Sequence, residues 1–112
     1  MSRKNLVRFA ASLLILVGAG TARAEPTDPE IRLEHGRFGP AQVAVPANTP
    51  FKVRVTNADT VAIEFESFEL HRERVVQPGE TITIYFPPLA SGTYQFFDDF
   101  HHDTPPGAIV AQ

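Results

Sequence analysis

Short stretches in which apolar and polar side chains alternate recur along the chain, and they constrain its fold more than any other feature. In the clearest of these stretches, Phe51, Val53 and Val55 alternate with polar residues. A period of two is typical of a half-buried β-strand, because successive side chains point to opposite faces of a sheet. Residues 81–86 are β-branched or aromatic, which also favours a strand.

Residues that favour turns separate these stretches at a spacing of about 8 to 12 residues, which is typical of β-sandwiches and barrels. Strands are predicted at 31–33, 43–45, 51–56, 63–65, 81–86, 93–97 and 108–110. Residues 36–40 are predicted to break the first run, and residues 67–74 are predicted to hold at most a short helical turn. The pattern therefore predicts an all-β fold in one domain.

A secretory signal peptide is predicted at residues 1–24. Three basic residues within the first eight positions precede an apolar run at 9–17, and residues 22–24, Ala-Arg-Ala, match a cleavage site. The alternative, a transmembrane anchor, needs about 20 apolar residues, and this run is shorter. Cleavage after Ala24 leaves residues 25–112, which we predict to be one periplasmic domain that does not insert into the membrane.

The predicted mature chain is acidic and has no cysteine. It keeps six basic and thirteen acidic residues, a net charge of −7 with neutral histidines. This balance argues against nucleic acids and anionic membrane surfaces as partners, since both favour basic patches, and it is compatible with cations. Without cysteine there is no disulfide, no thiolate metal ligand and no cysteine nucleophile.

Two acidic segments, residues 64–73 and 97–104, carry the side chains most suited to chemistry. Carboxylate oxygens and imidazole nitrogens suit iron, manganese, zinc or Cu(II). Asp98 and His101 could converge on one ion, whereas Asp98 and Asp99 point to opposite faces if the strand continues through them. The alternative is that both segments are solvated surface with weak ion pairs. No nucleophile motif and no phosphate-binding glycine loop is present.

Six motifs span nearly all of the predicted mature chain, at residues 38–41, 43–50, 53–59, 78–81, 92–96 and 107–110. In these motifs the chain resembles the cupredoxins, which implies a Greek-key β-sandwich. The four positions that hold copper ligands in blue-copper members fall at Ile63, Asp98, His101 and Thr104. Only His101 matches, so the resemblance does not extend to a blue-copper centre, whose geometry depends on a cysteine thiolate.

A narrower resemblance is to cupredoxin-like proteins associated with bacterial high-affinity iron uptake. It rests on the two acidic segments, including Glu64-Phe65-Glu66-Ser67 and Phe97-Asp98-Asp99-Phe100-His101. It implies a carboxylate-rich site near Glu66, Asp98 and His101, with Glu64 and Asp99 in the same motifs. The implied metal ion is iron or copper, and the implied partner is a membrane iron permease or another periplasmic uptake component. His102 stands where many relatives have proline.

Two functions therefore remain open from the sequence. The first is a periplasmic metal-binding protein that binds ferrous iron, or helps to oxidise it, for a permease. The second is a β-sandwich module that binds no metal and docks a partner protein. Whether the protein is an enzyme stays open, because a single small domain offers no evident second redox centre.

Overall fold

The computed structural model describes residues 28–112, together with Ser12, Ile15, Gly18 and Gly20. Apart from these four positions, the predicted signal peptide and its cleavage site lie outside the described residues. Within the described part of the chain, no helix is long and apolar enough to span a lipid bilayer.

Within residues 28–112, nine strands form two mixed sheets, which confirms the predicted all-β sandwich. The strands are β1 (Glu30–Glu34), β2 (Arg37–Gly39), β3 (Gln42–Val45), β4 (Phe51–Asn57), β5 (Ile63–Ser67), β6 (Arg72–Val76), β7 (Thr81–Phe86), β8 (Gly92–Asp98) and β9 (Gly107–Ala111). One sheet has the order β2-β1-β4-β7, and the other has the order β3-β9-β8-β5-β6. The pairs β1–β4 and β3–β9 are parallel, and the other pairs are antiparallel.

The core lies between the two sheets and is filled by the apolar side of each alternating strand. In β4, Val53 and Val55 are fully buried and the intervening Arg54 is exposed. The ring of Phe96 packs between those of Phe38 and Phe65, with centroids 5.0 Å away in both contacts. Burial of these side chains supplies the main stabilisation of a small domain that has no disulfide.

Two local predictions are wrong, and in both cases a left-handed residue lets the chain turn more tightly than expected. At 36–40, the turn lies at His35 and Gly36, whose φ angles are 53° and 67°. The chain then forms β2, which pairs with β1. Asp59 accepts hydrogen bonds from both turn amides at 2.6 and 2.9 Å, which stabilises this hairpin.

The second correction concerns residues 67–74, where no helix forms. Residues 68–71 make one turn that ends at His71, with φ of 52°. The chain continues directly into β6, which pairs antiparallel with β5 along its whole length. Residues 63–76 are therefore a tight hairpin rather than a strand followed by a helical turn.

Asn57, the last residue of β4, connects this strand to the loop before β5 and to the last residue of β6. Its buried side-chain amide donates to the carbonyls of Val61 and Val76 at 2.7 and 3.0 Å. Its side-chain oxygen accepts from the Asp59 amide at 3.0 Å. These bonds hold the 58–62 loop in place and so position the start of β5.

Gly107, the first residue of β9, lies where the core leaves no room for a side chain. A Cβ at this position would lie 2.3 Å from Phe96 Cζ and 2.7 Å from the backbone oxygen of Ala41. The backbone contact cannot be relieved by a rotamer change, so any substitution has to displace β9 from its neighbours.

We predict that Gly107→Ala destabilises the fold by about 3 kcal/mol, because it overpacks the core. The measurement is the free energy of unfolding from urea titration. Gly92→Ala in β8 is the matched control, since its added Cβ meets only the Tyr94 side chain at 3.7 Å, an ordinary contact distance. We expect the control to change stability by less than about 1 kcal/mol. Equal losses in the two variants would contradict the packing argument.

Candidate metal centre

The alternation of β5 places two glutamates on the outer face of the five-stranded sheet. Phe65 is fully buried in the core, and the flanking Glu64 and Glu66 point to the other side. The strand register brings Glu66 opposite Glu73 of β6 and opposite Phe97 of β8. Since the Asp99 amide donates to the Glu64 carbonyl at 2.9 Å, Asp99 lies beside Glu64.

Three of these side chains form what we call the carboxylate cluster: Glu64, Glu66 and Asp99. Each offers a carboxylate oxygen, and these oxygens lie within 4.8 Å of one another. Among residues 28–112, the ion pairs within 4.0 Å join no lysine or arginine to the cluster or to Glu73. The negative charges are therefore close together without a permanently cationic partner.

Hydrogen bonding, burial and neighbouring charge together raise the pKa values of the two cluster glutamates. The pKa of Glu64 rises from 4.5 to about 7, first because it shares a hydrogen bond with Glu73 that exists only when one carboxyl is protonated. Burial and the charge of Glu73 raise it further, and Glu64 is only 7 % exposed. The pKa of Glu66 is raised mainly by burial and then by the charges of Asp99 and Glu73. The cluster thus holds a proton where isolated carboxylates would not.

A histidine supplies a compensating contact to Asp99. His102 Nε2 lies 3.0 Å from Asp99 Oδ1, and this hydrogen bond raises the pKa of the imidazole above its usual value. The His102 side chain is 75 % exposed, so it can leave this contact at little cost.

Asp98 points away from the cluster and is used inside the protein. Its side chain is fully buried. Oδ1 accepts the backbone amides of Glu64 and Phe100, both at 3.0 Å, and Oδ2 lies 2.7 Å from His101 Nδ1. These bonds tie the end of β8 to the start of β5 and to the loop before β9. The two neighbouring aspartates therefore have different environments and different uses.

A cavity of about 420 Å³ lies at this end of the sandwich, beside Asp98. Its lining includes the four positions that the resemblance aligned with copper ligands, namely Ile63, Asp98, His101 and Thr104. The donor set does not fit a blue-copper centre, because no thiolate is present and Ile63 has no donor atom. In a blue-copper centre, a copper ion would join the residues at the Asp98 and His101 positions. In this chain, the Asp98 and His101 side chains contact each other directly.

The structure separates the five predicted site residues into two groups. Glu64, Glu66 and Asp99 lie together on the outer face of the sheet, and Asp98 and His101 lie together at the cavity. The sequence predicted that Glu66 lies with Asp98 and His101. In the structure, Glu66 lies with Glu64 and Asp99 instead. The metal-binding roles of all five residues stay predictions.

Glu73 lies in the acidic segment 64–73 but was not among the five predicted site residues. The neighbouring Arg72 guanidinium donates to the Tyr85 carbonyl at 2.9 and 3.1 Å and lies over the Phe86 ring. Recognising a tight turn at 68–71 would have placed Glu66 and Glu73 opposite each other in a hairpin.

Comparison with known proteins identifies the family. The model of the family described as Cupredoxin-like domain matches residues 7–111. The chain belongs to this family. Among curated proteins, the chain is similar to the uncharacterized protein RP394 of Rickettsia prowazekii (strain Madrid E), with 43 % identity over 81 residues. This match covers 72 % of the chain and 65 % of that relative. The chain therefore spans just under two thirds of the length of the relative.

Solved cupredoxin structures share the fold of this cupredoxin-like chain at low sequence identity. The metal-binding domain of the Cu(I)-exporting P-type ATPase CopA of Streptococcus pneumoniae D39 superimposes with a TM-score of 0.67 at 18 % identity, over 76 % of the chain and 84 % of that domain. Amicyanin of Paracoccus versutus gives a TM-score of 0.61 at 13 % identity, over 81 % of the chain and 87 % of amicyanin. The purple cupredoxin of Nitrosopumilus maritimus gives a TM-score of 0.58 at 18 % identity, over 76 % of the chain and 100 % of that protein. These similarities support the fold alone.

The buried bonds of Asp98 predict a large loss of stability on their removal. In Asp98→Ala, two backbone amides lose their acceptor inside the protein, and we expect a cost of about 3 kcal/mol in the free energy of unfolding. Asp99→Ala is the matched control, because it removes the adjacent, partly exposed carboxylate and relieves repulsion within the cluster. We expect the control to change stability by less than about 1 kcal/mol. A loss in Asp98→Ala no greater than that in Asp99→Ala would contradict the structural role of Asp98.

The raised pKa of Glu64 predicts that the metal-free protein loses stability as the pH rises. Between pH 4.5 and about 7 the folded protein keeps a proton on Glu64 that the unfolded chain releases. Stability therefore falls across this interval and levels off above it. The measurement is the urea midpoint from about pH 4 to about pH 8 in a metal-chelating buffer. Glu64→Gln should flatten the profile, and parallel profiles for parent and variant would refute the assignment.

Proposed function

We propose that this cupredoxin-like protein binds a transition-metal cation at the carboxylate cluster and carries it as cargo. The observation that carries the proposal is the position of Glu64, Glu66 and Asp99, whose oxygens lie within 4.8 Å of one another. In the part of the chain that the structure describes, no lysine or arginine forms an ion pair with them. Glu73, opposite Glu66, can supply a fourth oxygen donor.

Electrostatics favours a cation at this position. Carboxylates held this close repel one another when ionised. This repulsion adds to the raised pKa of Glu64 after the Glu73 hydrogen bond and burial, and to the raised pKa of Glu66 after burial. A metal ion relieves the repulsion more completely than a proton, since it interacts with several oxygens at once. Binding then displaces the shared proton, so cation affinity rises with pH.

The chemistry of the donor set favours iron over Cu(I). Carboxylate oxygens are hard ligands, whereas Cu(I) prefers thiolate and thioether sulfur. Cu(II) is the alternative cargo, since it accepts oxygen and imidazole donors. His101 lies at the cavity on the other side of Asp98, where it does not join the cluster.

We further propose that the protein works in the periplasm and passes iron to a membrane permease or to another periplasmic uptake component. Three features support this role: the signal-peptide pattern at residues 1–24, the acidic balance of residues 25–112, and the resemblance of both acidic segments to the iron-uptake branch of the family. The role requires binding and release of the cation and does not require turnover as an oxidase.

Metal titration tests the proposal. Calorimetry of the exported protein with Fe(II) under nitrogen, Cu(II) and Zn(II) should show stoichiometric binding of at least one of these ions. We expect Glu66→Gln and Asp99→Asn each to weaken that binding at least about tenfold, because each removes one anionic donor. Glu34→Gln is the matched control, since Glu34 is an exposed carboxylate on the other sheet and pairs with Arg32.

Two results would overturn the assignment. If His101→Ala abolishes binding while Glu66→Gln and Asp99→Asn bind as the parent does, the cation site lies at the cavity rather than at the cluster. If no metal binds better than weakly, the protein does not carry metal, and a docking module without metal becomes the function to test.

A further inference from the structure

The outer face of strands β8, β5 and β6 combines the carboxylate cluster with exposed apolar side chains. We call this surface the acidic-aromatic face, and its members are Glu64, Glu66, Phe68, Glu73, Val75, Phe97 and Asp99. We propose that it docks a second protein whose contact surface carries lysine or arginine side chains beside apolar ones. The proposal rests on the proposed function, because the partner would receive the cation bound at the same face.

The Phe68 side chain is exposed without a folding reason, and the Phe97 side chain beside it is half-buried. Phe68 is 70 % exposed at the turn of the β5–β6 hairpin, and its ring contacts that of Phe97 with centroids 5.1 Å apart. Val75, opposite Glu64, is 43 % exposed. Exposed aromatic side chains on a flat sheet face are typical of the anchoring residues of protein interfaces. Because Phe97 follows the alternation of β8, Phe68 packs on the outside of the sheet and contributes little to the core.

The charges on this face select the kind of partner. Glu66 and Glu73 lie directly opposite each other and adjoin the Phe68–Phe97 pair, and no lysine or arginine of the described residues forms an ion pair with them. A second copy of this chain would bring the same carboxylates against each other, which disfavours a symmetric dimer through this face. A partner with basic side chains has the complementary potential, and such complementarity also accelerates encounter.

Docking through this face would couple to the release of the cation. A basic side chain of the partner that reaches Glu66 or Glu73 competes with the cation for the same oxygens. By linkage, a partner that weakens cation binding is itself bound more weakly by the loaded protein. Docking of the partner therefore favours release of the cation from this face.

A labelled cationic peptide tests the surface. The probe is a fluorescein-labelled peptide of mixed arginine and leucine residues, and its counterpart has glutamate in place of arginine. We expect fluorescence anisotropy to show binding of the arginine peptide that weakens as the salt concentration rises. Amide shifts in the nitrogen–proton correlation spectrum should concentrate on β5, β6 and the end of β8.

Two exposed aromatic residues supply the decisive comparison. Phe68→Ser should weaken binding of the arginine peptide at least about fivefold, because the substitution removes the central apolar anchor. Tyr85→Ser is the matched control, since Tyr85 is 68 % exposed on β7 of the other sheet, and this variant should bind as the parent does. Neither residue offers a metal ligand of the cluster, so both variants should keep the metal affinity of the parent in calorimetry.

The outcomes separate this proposal from the proposed function. Equal peptide affinities of Phe68→Ser and Tyr85→Ser, or amide shifts spread over both sheets, would overturn the docking surface. Neither result bears on the metal titration, which tests the proposed function separately. Displacement of the bound peptide by the cation identified in calorimetry supports the coupling. Simultaneous binding of peptide and cation without mutual weakening would overturn it.

Discussion

The hydrogen bonds of the buried Asp98 carboxylate hold together the end of the sandwich at which both candidate sites lie. One carboxylate accepts the amides of Glu64 and Phe100 and contacts His101, so it joins β5, β8 and the last loop. In a blue-copper centre, a metal ion and a thiolate connect the corresponding segments. In this chain the Asp98 carboxylate connects these segments by hydrogen bonds.

The alternation of side chains along a strand explains how adjacent residues acquire separate tasks. Asp98 ends β8 pointing inward, and Asp99 follows on the outside beside Glu64. The inner carboxylate stabilises the fold and the outer one takes part in the cluster. The structural bonds of Asp98 therefore do not depend on the carboxylates of the cluster.

Much of the fold could be predicted from the sequence, because strand alternation and turn residues are local signals. The strands around 53, 84 and 96 and the two-sheet class follow from those signals. Strands β2 and β6 were missed because His35 and His71 adopt left-handed turns that residue type alone does not indicate. The five site residues were identified by resemblance, but their division into two groups depends on strand register. Glu73 was missed for the same reason, since its approach to Glu66 follows from hairpin pairing.

Three of the four carboxylates of the acidic-aromatic face, Glu64, Glu66 and Glu73, lie within the ten residues 64–73 of the β5–β6 hairpin. A hairpin with so short a turn closes quickly, because the loop entropy to be overcome is small. Closure nevertheless places Glu66 directly against Glu73, and like charges in facing positions oppose strand pairing. The facing glutamates therefore weaken this hairpin, and the burial of Phe65 in the core offsets that cost. A hairpin that is short in sequence but electrostatically opposed thus depends on the tertiary core for its closure.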